Sequence, residues 1–261
     1  MLTLSYQYVE STQADALHLV LIHGWGLHSG VWEKVIEPLR AFAHLTIIDR
    51  AGYGASPMMS PDEEQQALLA IVPPVAIYVG WSLGTMKVLA LASLYPERVL
   101  AVIAVAATPC FVQRDDWPYA MPIAVFKDFE QRVLENPDLG LMRFIGLQCQ
   151  GSASQRQDMH FLQAQLAQQP IPQPCVLEQG LRELAQLDNR SIVQKLRCPL
   201  LWMQGANDGL AHVNADVLMR LNPLMAVQVI SQAGHVPFVS HPQIFSDVIK
   251  RFIHELQHDE F

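Results

Sequence analysis

Charge is scarce in this sequence. Only 16% of its 261 residues are Asp, Glu, Lys or Arg, and the formal net charge is −8. An acidic chain repels a phosphate backbone, which argues against a nucleic-acid partner. Cysteine is sparse as well. Cys110, Cys149, Cys175 and Cys198 lie far apart, with no C-x-x-C and no histidine at zinc spacing. Neither a disulfide framework nor a structural metal is therefore expected to organise the fold, and reduced thiols suit a cytoplasmic location. Long apolar runs are also missing. The run at residues 17–22 is far too short to span a bilayer. Residues 1–16 carry Glu10 and Asp15 where a secretory leader would have a basic start and an apolar stretch. No membrane association is expected.

Apolar material, by contrast, is plentiful. Hydrophobic residues make up 51% of the chain, enough for one domain, or for one core carrying an inserted cap. Short β-rich apolar runs occur at residues 18–22, 45–48, 75–79, 99–106, 199–203 and 226–230. Near-continuous apolar strands are buried on both faces, as in a parallel sheet covered by helices. Residues 85–95 read as a helix stopped by Pro96. Residues 241–258 read as an amphipathic helix with Ile244, Phe245, Val248, Ile249, Phe252 and Ile253 on roughly one face. This alternation predicts an α/β fold, a mostly parallel, doubly wound sheet.

The rhythm breaks between residues 111 and 188. Helix-like pieces at 121–134 and 154–168 alternate there with Pro and Gly breaks, notably Gln169-Pro170-Ile171-Pro172-Gln173-Pro174. The expected organisation is a core of residues 1–110 and 189–261 with a helical cap inserted at 111–188. A second independent domain is the alternative.

Gly80-Trp81-Ser82-Leu83-Gly84 matches G-x-S-x-G. It sits directly between an expected strand and an expected helix, as a nucleophile elbow requires. The turn strains the serine backbone, the glycines give room where strand and helix nearly touch, and the helix N-terminus favours developing negative charge. A plain glycine-rich βα turn is the alternative. A nucleophilic serine also needs a base, an orienting acid and oxyanion donors. His235, in Ala233-Gly234-His235-Val236-Pro237, follows the last expected strand and is the candidate base, ahead of His241 and His212. Asp208 follows the strand at 199–203 and is the candidate acid, ahead of Asp216. The order Ser82, Asp208, His235 is the one this elbow predicts.

Asp49-Arg50-Ala51-Gly52-Tyr53-Gly54-Ala55-Ser56 resembles the D-x-x-G-x-G-x-S loop of the α/β-hydrolase superfamily. A narrower resemblance rests on His23-Gly24-Trp25-Gly26-Leu27, the elbow, Pro109-Cys110-Phe111 and Arg114-Asp115-Asp116-Trp117-Pro118, with residues 144–148 and Arg156-Gln157-Asp158. These resemble the carboxylesterase family of biotin synthesis, whose members demethylate pimeloyl-[acyl-carrier protein] methyl ester. The resemblance implies a serine esterase with the Ser82, Asp208, His235 triad and backbone oxyanion donors at Trp25 and Leu83, with His23 shaping the loop. It also implies an acyl site lined by Trp25, Leu83 and Phe144, with Arg143 and Arg156 meeting an acyl-carrier protein. Leu139 and His160 stand where arginine would be expected, and residues 111–188 hold 6 Lys+Arg against 10 Asp+Glu. No metal and no organic cofactor is implied, and a monomer is the default. Two rival readings are a broad short-chain esterase or thioesterase without a carrier partner, and a non-catalytic ligand receptor on the same fold.

Overall fold

A computed structural model describes residues 2–258. Seven strands form one sheet: β1 (Tyr6–Val9), β2 (Leu17–Ile22), β3 (Ala43–Ile48), β4 (Ala76–Trp81), β5 (Val99–Val105), β6 (Leu200–Gly205) and β7 (Met225–Ile230). Their order is β1-β3-β2-β4-β5-β6-β7. Only β1 runs antiparallel, on β3; every other neighbouring pair is parallel. All six expected strands are present, with ends shifted by a residue or two.

The period-2 alternation of each strand feeds two cores. On β4, Ile77, Val79 and Trp81 join one and Ala76 and Tyr78 the other. The first core is closed by α1 (Glu33–Arg40) through Val35 and Leu39, and by α11 (Pro242–His258). Helix α11 buries Phe245, Val248, Ile249, Phe252 and Ile253 as its periodicity predicts, but Ile244 is exposed. Ile244 lies in the first turn, at the margin of the apolar stripe, where it faces solvent. The second core takes α2 (Pro61–Ile71), most of α3 (Leu83–Leu94), α8 (Arg190–Lys195) and α9 (Ala215–Leu221). A short α10 (Pro237–Ser240) precedes α11.

Between β5 and β6 the chain forms α4 (Ile123–Glu135), α5 (Pro137–Cys149), α6 (Gln155–Leu166) and α7 (Pro174–Gln186). No named strand occurs there among the described residues, only isolated bridges such as Cys110 with Asp188. The expected helices at 121–134 and 154–168 correspond to α4 and α6. The proline tract ends by starting α7, with Pro174 at its first position, where a missing N–H costs nothing. The apolar faces of these helices, including Phe126, Phe144, Leu162 and Leu181, merge with the first core.

Candidate active site

Ser82 alone forms the turn between β4 and α3. It holds φ 53° and ψ −120°, a conformation that L residues rarely adopt. The flanking glycines are steric necessities. A Cβ on Gly80 would lie 2.5 Å from Thr85 Cα, and one on Gly84 2.6 Å from the His23 carbonyl oxygen. Gly24 belongs to the same packing, since a Cβ there would meet Ser82 Cβ at 3.1 Å. The loop after β2 is thus pressed against the serine. Among the described residues, neither Trp25 N–H nor Leu83 N–H has an acceptor. Leu83 N–H opens α3, one of the amides that a helix leaves unsatisfied.

Asp208 and His235 meet above the ends of β6 and β7. His235 Nδ1–H donates to Asp208 Oδ2 at 2.9 Å, and both residues are buried. The other carboxylate oxygen accepts from the backbone N–H groups of Leu210 (2.8 Å) and Ala211 (3.1 Å). Burial opposes ionisation of Asp208. The His235 ring and those amides outweigh it and hold the carboxyl below the usual carboxylate range. With the proton on Nδ1, His235 Nε2 carries a free lone pair; it is buried and has no partner among the described residues. Trp81 joins the base to the elbow: its indole N–H donates to the His235 carbonyl at 2.9 Å, and the two rings lie 5.8 Å apart.

The competing residues fall away. His212 is exposed and contacts the Gly205 carbonyl, His241 caps the end of α10 beside Ser240 Oγ, and Asp216 is an exposed residue of α9. His23 is buried and is held down to about 3 by burial and by the Arg50 charge. It is therefore neutral, with Nδ1–H donating to the Gly24 carbonyl and Nε2 accepting from Arg50 N–H. These two bonds tie the loop after β2 to Arg50.

Trp25 is clasped by the inserted helices. Its indole N–H donates to the Leu177 carbonyl at 3.0 Å, and its ring meets Phe144 (5.1 Å) and Phe129 (5.7 Å) edge-on. Arg143 and Arg156 are exposed on α5 and α6 and make no ion pair or hydrogen bond among the described residues. Leu139 and His160 are exposed on the same two helices. A cavity of about 280 Å³ lies elsewhere, between α2, α3 and α7. Apolar residues such as Leu68 and Met86 line it together with charged Arg50, Glu64, Lys87 and Glu183, and none of Ser82, Asp208 and His235 does.

Residues 18–242 match the family model described as alpha/beta hydrolase fold. The chain belongs to that family. The pimeloyl-[acyl-carrier protein] methyl ester esterase of Pectobacterium carotovorum subsp. carotovorum is 37% identical over 249 residues, 94% of this chain and 97% of that protein. The esterase of the same name from Serratia marcescens is 37% identical over 257 residues, 97% of this chain and 99% of its own. A bromoperoxidase structure from Bacillus anthracis superposes with a TM-score of 0.82 at 20% identity, covering 95% of this chain and 94% of that one. That last likeness concerns the fold alone. Family and relatives together make the chain a carboxylic ester hydrolase. No helix among the described residues is long and apolar enough to cross a membrane.

Three ties at the site had no local sequence signal: the Trp81 indole on the His235 carbonyl, the Gln148 carbonyl accepting His235 N–H at 3.0 Å, and Asn207 Nδ2–H on the Gly151 carbonyl at 2.8 Å. Each joins residues dozens of positions apart. Trp81 and Gln148 fell within recognised motifs, but neither motif signals the bond itself.

Proposed function

We propose that this protein hydrolyses the methyl ester of pimeloyl-[acyl-carrier protein], giving the carrier-bound acid and methanol for biotin synthesis, with Ser82 as nucleophile. The observation that carries the chemistry is the Asp208–His235 hydrogen bond, which leaves His235 Nε2 buried and without a partner among the described residues. The names of the relatives carry the substrate.

His235 Nε2 takes the Ser82 hydroxyl proton as Oγ attacks the ester carbonyl. Asp208 fixes the tautomer and stabilises the imidazolium. The Trp25 and Leu83 amides, which have no acceptor among the described residues, take the oxyanion. The C–O bond to the methoxy group breaks, and His235 returns the proton so that methanol leaves. Water, deprotonated by the same nitrogen, then cleaves the acyl-enzyme. Residues 111–188 act as a cap. The acyl chain lies along Trp25, Leu83 and Phe144, and the carrier protein meets Arg143 and Arg156 outside. The reading places the reaction in the cytoplasm, in keeping with four unpaired thiols, and takes the enzyme as a monomer.

Ser82→Ala lowers turnover by about five to six orders of magnitude and abolishes labelling by a fluorophosphonate. Near-native turnover by that variant overturns the assignment. The acid excess of residues 111–188 favours one second reading, a generalist esterase with no carrier partner. The two separate on substrate. For a carrier esterase, replacing Arg143 and Arg156 by alanine together raises KM for the carrier-linked ester about tenfold or more and leaves a free short ester unaffected. Equal efficiency on both substrates in native and variant protein makes it a generalist.

A further inference from the structure

We infer that the α5–α6 turn braces the triad and that Asn207 is the positioning residue through which it acts, an inference that rests on the serine-hydrolase reading above. The turn spans residues 150–154, between Cys149 at the end of α5 and Gln155 at the start of α6. It is bonded to both loops that carry the acid and the base. On the base loop, the Gln232 carbonyl accepts Ala153 N–H of the turn at 3.1 Å, and His235 N–H donates at 3.0 Å to the carbonyl of Gln148, in the last turn of α5 just before it. On the acid loop, Asn207, next to Asp208, donates through Nδ2 to the Gly151 carbonyl at 2.8 Å. The two loops are also bonded to each other, Asn207 N–H to the Ala233 carbonyl at 2.9 Å. A closed ring of hydrogen bonds therefore runs from the turn to the acid loop, across to the base loop and back.

The packing is as close as the bonding. Gly151 has φ +81°, and a Cβ there would stand 2.7 Å from Asn207 Cβ. A Cβ on Gly234 would stand 2.7 Å from the Gln150 carbonyl oxygen. Backbone meets backbone on both sides, so the turn cannot shift without moving Asp208 and His235. The α5–α6 end is thus the fixed end of the inserted segment. Of the ring's bonds, only the one from Asn207 is made by a side chain, so it is the one a substitution can remove while the backbone is kept.

Asn207 touches no reacting atom; it acts by holding Asp208 in register with His235. A misplacement of well under 1 Å is enough to slow proton transfer. The test compares Asn207→Ala and Asn207→Asp, the latter keeping the shape but not the donor, with native enzyme and Ser82→Ala. Both Asn207 variants are expected to lose about tenfold in kcat with KM within twofold, on a free short ester as on the carrier-linked ester. The rate of fluorophosphonate labelling falls in parallel, and the downfield proton resonance of His235 Nδ1–H broadens. The bond is exposed, so the melting temperature stays within about 3 °C of native. Gly151→Ala, which pushes on the same contact from the other side, reproduces the kcat loss.

Native kcat and native labelling rate in both Asn207 variants, beside an inert Ser82→Ala, overturn the brace alone. A fall in melting temperature with an unchanged labelling rate per folded molecule also overturns it, by showing a merely structural bond. Turnover by Ser82→Ala overturns the serine reading and the brace with it.

Discussion

Glycines are among the most demanding residues of the site. Gly80 is the next-to-last residue of β4, where α3 folds back over it, and backbone of Thr85 occupies the place a Cβ would need. The clash is with main chain, so no side-chain rotamer relieves it. Gly80→Ala therefore has to move the strand end or the first turn of α3, and Ser82 sits between them. Forcing one extra carbon into such a site costs about 1–3 kcal/mol. The expected outcome is a melting temperature lower by several degrees and a lower kcat, checked by thermal unfolding and esterase assay; a native value of both would contradict the packing. The elbow was legible in the sequence for the same reason that it is intolerant. Its requirements are local, so Gly80, Ser82 and Gly84 appear within five residues. Asp208 and His235 were legible by order and by their position after strands. Asn207 and Gly151 were not. Their contact joins positions 56 apart and needs only an amide and a carbonyl, which no spacing advertises.

Elements were legible where burial on both faces made their composition uniform. β4 and β6 are buried throughout and read plainly. β1 is a short antiparallel edge with mostly exposed residues and no apolar run, so nothing marked it. Helix α7 was hidden by its proline-rich approach, yet it forms the firmest polar link between the inserted helices and the core. Its Glu183 faces Arg50 at 3.6 Å and also pairs with Lys87 of α3, while Glu64 of α2 faces Arg50 at 3.5 Å and Lys87 at 4.0 Å. Two carboxylates and two cations thus alternate in a largely buried square. Removing one corner leaves Arg50, whose side chain is 7% exposed, with a single counter-charge. Breaking a fully buried pair costs about 3–5 kcal/mol. Glu183 retains some exposure, so Glu183→Gln is expected to cost about 2 kcal/mol. A lower urea midpoint with an unchanged m-value checks this, and an unchanged midpoint refutes it.

At the scale of the whole molecule, the acid side of the stability curve is set by buried histidine. His23 has an ordinary value of 6.5 and is lowered to about 3 in the fold, by burial first and by Arg50 second. Between those two values the unfolded chain binds a proton that the folded chain refuses. Stability therefore falls as pH falls through that window and is fully retained only above about 6.5. One such proton gives a slope of about 1.4 kcal/mol per pH unit, or about 2 kcal/mol lost between pH 7 and pH 5. His18, lowered to about 4 by burial and by neighbouring His44, acts in the same direction, screened by its partial exposure. Asp49 and Asp208 contribute little change between pH 7 and pH 5. Both carboxyls are held below their ordinary 3.8 and lose their protection only at lower pH. His23→Gln separates these contributions. Its amide can still donate to the Gly24 carbonyl and accept from Arg50 N–H, the two bonds His23 makes, but it does not titrate. The variant starts less stable at pH 7, and its urea midpoint declines more shallowly than native down to pH 5. Parallel decline in both proteins would place the acid sensitivity elsewhere.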